Sequence, residues 1–177
     1  GGVAAAVGVY TIGYAGRRGH GPGSRTAMAT LPLFVAAMLA VPAAGSVSTF
    51  LLAWELMALT SLLLVAAEHR DSAAVRTAGL WYAAFTQAGF VTVLLGLMWM
   101  AAAAGGESFA AIRAAAPGVA PVVLSGVFLL CLAGFASKAG VVPLHPWLPR
   151  AHAEARSHVS ALMSAAMVKL GVYGIVR

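Results

Sequence analysis

The chain has 177 residues, of which 61% are hydrophobic and only 9% charged, where a soluble domain carries roughly 25% charged residues. That composition excludes a water-soluble enzyme built around one buried core and indicates a polytopic membrane protein. The net charge of +6 does not point to nucleic acid, because the arginines are scattered over several loops, without a basic stripe or an aromatic platform.

Taken in chain order, the sequence opens inside an apolar run, GGVAAAVGVYTIGY. Residues 1–15 therefore read as the end of a transmembrane helix and 16–26 as a cytoplasmic loop. Further spans are predicted at about 27–44, 47–66, 77–104, 119–144 and 158–176, each near the roughly 20 apolar residues that cross a bilayer. Short connections make neighbouring spans antiparallel, and ESFAAIRAAAP (107–117) reads as a brief amphipathic piece at the interface. The fold class expected is all-α, a polytopic transmembrane helix bundle. No initiator Met and no charged start or cleavage site of a signal peptide is visible. The chain also stops at Arg177, at the end of an apolar run. A piece of a longer polypeptide is expected.

Sidedness follows from the loops. Arg17, Arg18, Arg25, Arg70, Arg76, Arg150 and Arg156 fall on one face, and only Arg113 and Arg177 on the other. The positive-inside rule makes the arginine-rich face cytoplasmic, in a multi-pass protein of the cell (inner) membrane. His20, His69, His145, His152 and His158 lie on or beside that face, so no pair is placed to ligate a haem in mid-membrane. The single cysteine, Cys131, excludes an internal disulfide and a cysteine-ligated cluster, and reads as a helix-packing residue. No cofactor or metal is expected.

Three ionisable side chains interrupt the apolar runs: Glu55 in LLAWELMALTSLLLV, Lys138 in VFLLCLAGFASKAGVV and Lys169 in ALMSAAMVKLGVYGIV. An ion in hydrocarbon costs about 2.5–3.5 kcal/mol on insertion scales, so retaining three is most simply read as charge movement. Glu55 falls near mid-depth; the bland alternative is a buried ion pair fixing helix register. Lys138 is followed by Pro143, whose missing N–H and ring should kink or open the helix near Ala139. Its alternative is snorkelling toward the cytoplasmic interface. Lys169 shares a stripe with Ala161 and Ala165, beside Ser164, Gly171 and Gly174. Small residues admit a close neighbour, so Lys169 is expected to face protein. A close Glu–Lys pair is worth roughly 4 kcal/mol at an effective dielectric of 20. Making and breaking such a contact would load and unload a proton.

Residues 128–177 (FLLCLAGFASKAGVVPLHPWLPRAHAEARSHVSALMSAAMVKLGVYGIVR) resemble the proton-translocating, antiporter-like membrane subunits of respiratory complex I. The same family serves multi-subunit cation/proton antiporters and membrane-bound hydrogenases. The pattern is a lysine seven residues before the histidine of PLHxWLP, an AH turn, VSAL, and a Lys-x-Gly-x-Tyr-Gly helix. Upstream, WELMALTSLLLV resembles the family's glutamate helix. WELMxLTS and SHVSALMS are most similar to the large membrane subunit of hydrogenase-4 and formate hydrogenlyase (component B, or subunit 3).

The resemblance implies a longer bundle of two inverted five-helix repeats. Residues 27–177 would form the first repeat, with a broken lysine-bearing helix. It assigns proton translocation to Glu55, Lys138 and Lys169, and possible proton entry to His145, His152 and His158. For His145 a structural hydrogen bond is an equal reading, and His152 and His158 also read as solvated loop residues. Ser164 stands where other members often carry histidine, which disfavours the sodium/proton antiporter subunit. The implied function is a non-redox membrane subunit of a redox-driven complex, of membrane-bound hydrogenase/formate hydrogenlyase or NADH:quinone oxidoreductase type. Its partners would be other membrane subunits, a peripheral redox module, protons and lipid. The alternatives are a sodium/proton antiporter subunit and a non-transporting membrane anchor.

Overall fold

The computed structural model describes residues 22–66, 73–155 and 157–177. The span end expected at 1–15 lies outside them, as does the loop expected at 16–26 up to residue 21. From Pro22 the chain is already helical: α1 runs Pro22–Ala43. Proline suits that first position, because its φ is preset and its missing N–H would be unpaired there anyway.

Helix α2 (Val47–Val65) starts at Ser46, whose Oγ accepts the Thr49 N–H while Thr49 Oγ1 accepts the Ser46 N–H. This reciprocal capping box satisfies two donors that a helix start leaves orphaned. Helix α3 (Ala73–Ala104) follows, then the short α4 (Phe109–Ala115) and a 3-10 turn at Ala116–Gly118. Phe109 and Ile112 pack inward from α4 while Arg113 stays exposed, as the amphipathic pattern of 107–117 predicts. Backbone bonds hold this end together: Val47 N–H to Glu107 O at 2.9 Å and Phe109 N–H to Gly45 O at 3.0 Å. The Glu107 carboxylate takes the Ser48 hydroxyl.

Helix α5 (Pro121–Ala139) ends five residues before the boundary expected at 144. Gly140 adopts φ 68°, the Val141 N–H reaches Ala136 O at 3.0 Å, and the Gly140 N–H reaches Ser137 O at 3.2 Å. That is a Schellman stop, which favours glycine because a Cβ is strained at this φ. Pro143 therefore lies past the helix end, where it bars resumption of the helix but does not cause the break. After the turn come α6 (Trp147–Glu154), α7 (Ser157–Leu162), a π-helical turn (Met163–Met167) and α8 (Val168–Val176).

Four segments are long and apolar enough to cross a membrane: Val47–Val65, Val75–Ala104, Pro121–Ala139 and Val159–Val176; Ala29–Ala43 is a shorter apolar helix. Among the described residues there is no strand, only an isolated bridge between Ser46 and Ser108. The all-α membrane bundle expected from composition is the architecture observed. Leu52, Leu56, Leu59 and Leu63 line one outward face of α2, as a helix in contact with hydrocarbon or other apolar surfaces should.

The core forms where α1, α2, α3, α5, α6 and the α7–α8 rod converge. Phe135 packs edge-on against Phe50 and Trp54, with ring centroids 6.0 and 5.2 Å away. The most extensive helix–helix contact is α3 against α5. A Cβ at Gly134 would stand 2.4 Å from the carbonyl oxygen of Gly89, so glycine there lets the backbones meet.

A buried lysine and a half-buried glutamate on the faces of one helix

Lys138 is the penultimate residue of α5, and only 3% of its surface is exposed. The Schellman turn and α6 fold back over it. Trp147, at the start of α6, is fully buried and donates its indole Nε1–H to Ser137 O at 2.9 Å. Its ring lies 5.2 Å from that of Tyr82 on α3. Tyr82, also fully buried, supplies the acceptor for the lysine: Lys138 Nζ donates to Tyr82 Oη at 3.2 Å. The ammonium stands 5.4 Å from the same ring's centroid, within cation–π range. Snorkelling to an interface is not what the side chain does.

The Tyr82 hydroxyl lies 2.5 Å from Ser61 Oγ on α2 and 3.5 Å from Met167 Sδ, the last residue of the π-helical turn. Ser61 in turn donates to the Ala58 carbonyl at 2.8 Å. One phenol thus gathers contacts from α2, α5 and the last rod.

Glu55, half-buried in the middle of α2, is held from the same helix α3. Gln87 Nε2 donates to Glu55 Oε1 at 2.8 Å. Oε2 is buried and has no hydrogen-bond partner. Among the described residues, Glu55 and Lys138 form no ion pair with each other; each is held by a different side chain of α3. Ser61, at the level of the lysine, lies six residues beyond Glu55, about 9 Å along a helix rising 1.5 Å per residue. The acid and this amine are therefore not at one depth.

Lys169 is elsewhere. It is exposed, as are Ala161, Ser164 and Ala165 on its stripe, and its Nζ donates to Ser164 O at 3.4 Å. The expectation that it faces protein is not met within the described chain. Gly171 and Gly174 do admit a close neighbour: Cβ atoms there would strike Ala139 and Phe135 of α5. Gly171, though, lies two residues on, about 200° around the helix at 3.6 residues per turn, so the tight face and the lysine face are opposed. The π-helical turn at Met163–Met167 ends two residues before Lys169, and such turns recur at functional sites.

Of the histidines, His145 is exposed. The imidazole of His152 is half-buried, with Nδ1 2.7 Å from Ser160 Oγ, tying α6 to α7. Burial holds it below the usual histidine range. The side chain of His158 lies outside the described residues. Among those searched, no group of His, Cys, Asp and Glu could hold a metal ion.

Sequence reasoning missed Tyr82, Gln87, Ser61 and Trp147. A census of polar side chains within the apolar runs would have found Gln87 and Ser61. Tyr82, in WYAAF near a span end, passes for an interfacial aromatic.

A family model described as NADH:quinone oxidoreductase/Mrp antiporter, transmembrane, matches residues 44–177. An uncharacterized protein of Mycobacterium tuberculosis (strain H37Rv) is 62% identical over 177 residues, covering all of this chain and 26% of its own length. Hydrogenase-4 component B of Escherichia coli (strain K12) is 37% identical over 169 residues, 96% of this chain and 24% of its own length. The chain thus spans about a quarter of the length of these curated relatives. A chain of the membrane-bound sulfane sulfur reductase, an archaeal respiratory membrane complex, shares the fold with a TM-score of 0.78. Identity to it is 24%, covering 84% of this chain and 30% of that one.

Proposed function

Because this chain belongs to the NADH:quinone oxidoreductase/Mrp antiporter transmembrane family, we propose that it carries protons through the membrane by way of Glu55, Lys138 and Lys169. The family is one of proton-translocating membrane subunits of complex I-like complexes and Mrp antiporters. Within it, this chain acts as a non-redox subunit of a redox-driven complex, of membrane-bound hydrogenase, formate hydrogenlyase or NADH:quinone oxidoreductase type. The energy comes from a peripheral redox partner.

One observation carries this reading: an amine and a carboxylate sit inside membrane-crossing helices, each on a neutral partner, without pairing with each other. A pair serving only to fix helix register would be closed, since leaving Oε2 buried and unpaired is costly. A separated pair can be loaded one proton at a time.

The path proposed is a half-channel. Protons enter at the arginine-rich, cytoplasmic end near residues 145–158, past His145, His152 and His158. They reach Lys138 as its contact with Glu55 changes, and continue through internal water to Lys169. The host is the cell (inner) membrane.

Lys138→Ala in the complete protein tests this. In proteoliposomes holding the assembled parent complex, the variant should assemble and transfer electrons but move no protons. Full pumping by the variant would contradict the reading.

A further inference from the structure

We propose that Tyr82 and Gln87 are a pair of positioning residues on α3 that hold Lys138 and Glu55 apart, each offering one ion a neutral partner in place of the other ion. The inference rests on the proton-carrying role proposed above and adds to it the element that keeps the pair open.

The donor order around Tyr82 carries the argument. Lys138 Nζ donates to Tyr82 Oη, so the phenol's own hydrogen points onward, to Ser61 Oγ at 2.5 Å or more weakly to Met167 Sδ at 3.5 Å. The Ser61 hydroxyl donates to the Ala58 carbonyl at 2.8 Å. A backbone carbonyl accepts a hydrogen bond but no proton, and neither does a thioether. The chain from the lysine therefore ends without a proton acceptor. It is a clamp on the ammonium, not a proton wire.

The phenol is held from a helix other than the lysine's, by Ser61 Oγ of α2 at 2.5 Å, and is walled by the Trp147 ring 5.2 Å away, so the lysine side chain can leave while Tyr82 stays. On the acid side, Gln87 occupies Oε1 and leaves Oε2 buried and free, an acceptor suited to an arriving ammonium. Tyr82 and Gln87 are five residues apart, so the two partners are offset by about 7.5 Å along α3. Closing the ion pair requires Lys138 to leave Tyr82 and swing toward Glu55. A displacement of α3 relative to both α2 and α5 would change both neutral contacts at once.

Tyr82→Phe in the intact complex tests the clamp, because it keeps the ring against Trp147 and beneath the ammonium while removing the acceptor. Gln87→Met is the companion variant, releasing Glu55 from the other side. In each variant a density map should show Lys138 Nζ within about 4 Å of Glu55, the range of an ion pair. Proton uptake should fall about tenfold with assembly unchanged. If both variants leave Lys138 in place, or pump at the unmodified rate, while Lys138→Ala is inactive, the clamp is wrong and the proton-carrying role stands. If Lys138→Ala itself pumps fully, both fall.

Discussion

The indole of Trp147 donates to the carbonyl of Ser137, 2.9 Å away and ten residues back in the chain. That carbonyl also receives the Gly140 N–H at 3.2 Å, so one bond pins the start of α6 over the end of α5. Trp147→Phe keeps most of the packing and deletes the donor. The cost should exceed about 1 kcal/mol, the net worth of a typical intramolecular hydrogen bond, because the smaller ring also leaves a void at a fully buried site. Thermal unfolding of the purified protein should show a lowered midpoint, with a larger drop for Trp147→Ala, which also opens a cavity.

Gly134→Ala should weaken the contact of α3 with α5. The added carbon would meet Gly89 O at 2.4 Å and side-chain atoms of Val93 and Thr92 at 2.5 and 2.6 Å. The nearest of these is backbone and cannot rotate away. Overpacking of this kind costs about 1–3 kcal/mol, measurable as a lower detergent-resistance or unfolding midpoint. Gly118→Ala, where a Cβ meets nothing within 4 Å, is the control and should be silent.

How far the sequence discloses this molecule differs between backbone and site. Apolar run length located α2 to within a residue, because hydrophobic thickness constrains a span directly. It overshot α5 by five residues, since a Schellman stop depends on the conformation of Gly140, which hydropathy does not register. The burial of Lys138 was legible from its neighbours; its partner was not. Tyr82 is 56 residues away in the chain, and only the packing of α3 on α5 brings it there. The packing expected around Lys169 is not found within the described chain, because its small neighbours Gly171 and Gly174 face another side of the rod.

His152 should make the α6–α7 connection pH-dependent. Partial burial lowers its proton affinity in the folded chain, whereas the unfolded histidine titrates near pH 6.5. Below that value the unfolded form binds more protons, so the stabilisation is full above about pH 6.5 and is lost as pH falls through the lowered folded value. Hydrogen exchange across residues 147–162, corrected for intrinsic rates, should be faster at about pH 5 than at about pH 8. His152→Gln should remove most of that difference.

Lys169→Ala should separate transport from stability. The side chain is exposed and makes one long bond, 3.4 Å, to a carbonyl of its own rod. Its removal should leave the unfolding midpoint within the small range expected of surface substitutions, about 0.5 kcal/mol. Proton uptake by the assembled complex should nevertheless fall at least tenfold, equivalent to about 1.4 kcal/mol in the limiting step.

Donor-driven proton uptake by proteoliposomes carrying the Glu55→Gln complex is the most direct measurement, read with a pH-sensitive dye at matched electron-transfer rate. Glutamine preserves the shape and can still accept from Gln87, but it cannot attract or discharge an ammonium. Uptake should drop below about a tenth of the unmodified rate, with electron transfer and assembly retained. Uptake at the unmodified rate would mean that protons cross without the buried acid, contradicting a pathway built on Glu55 and Lys138.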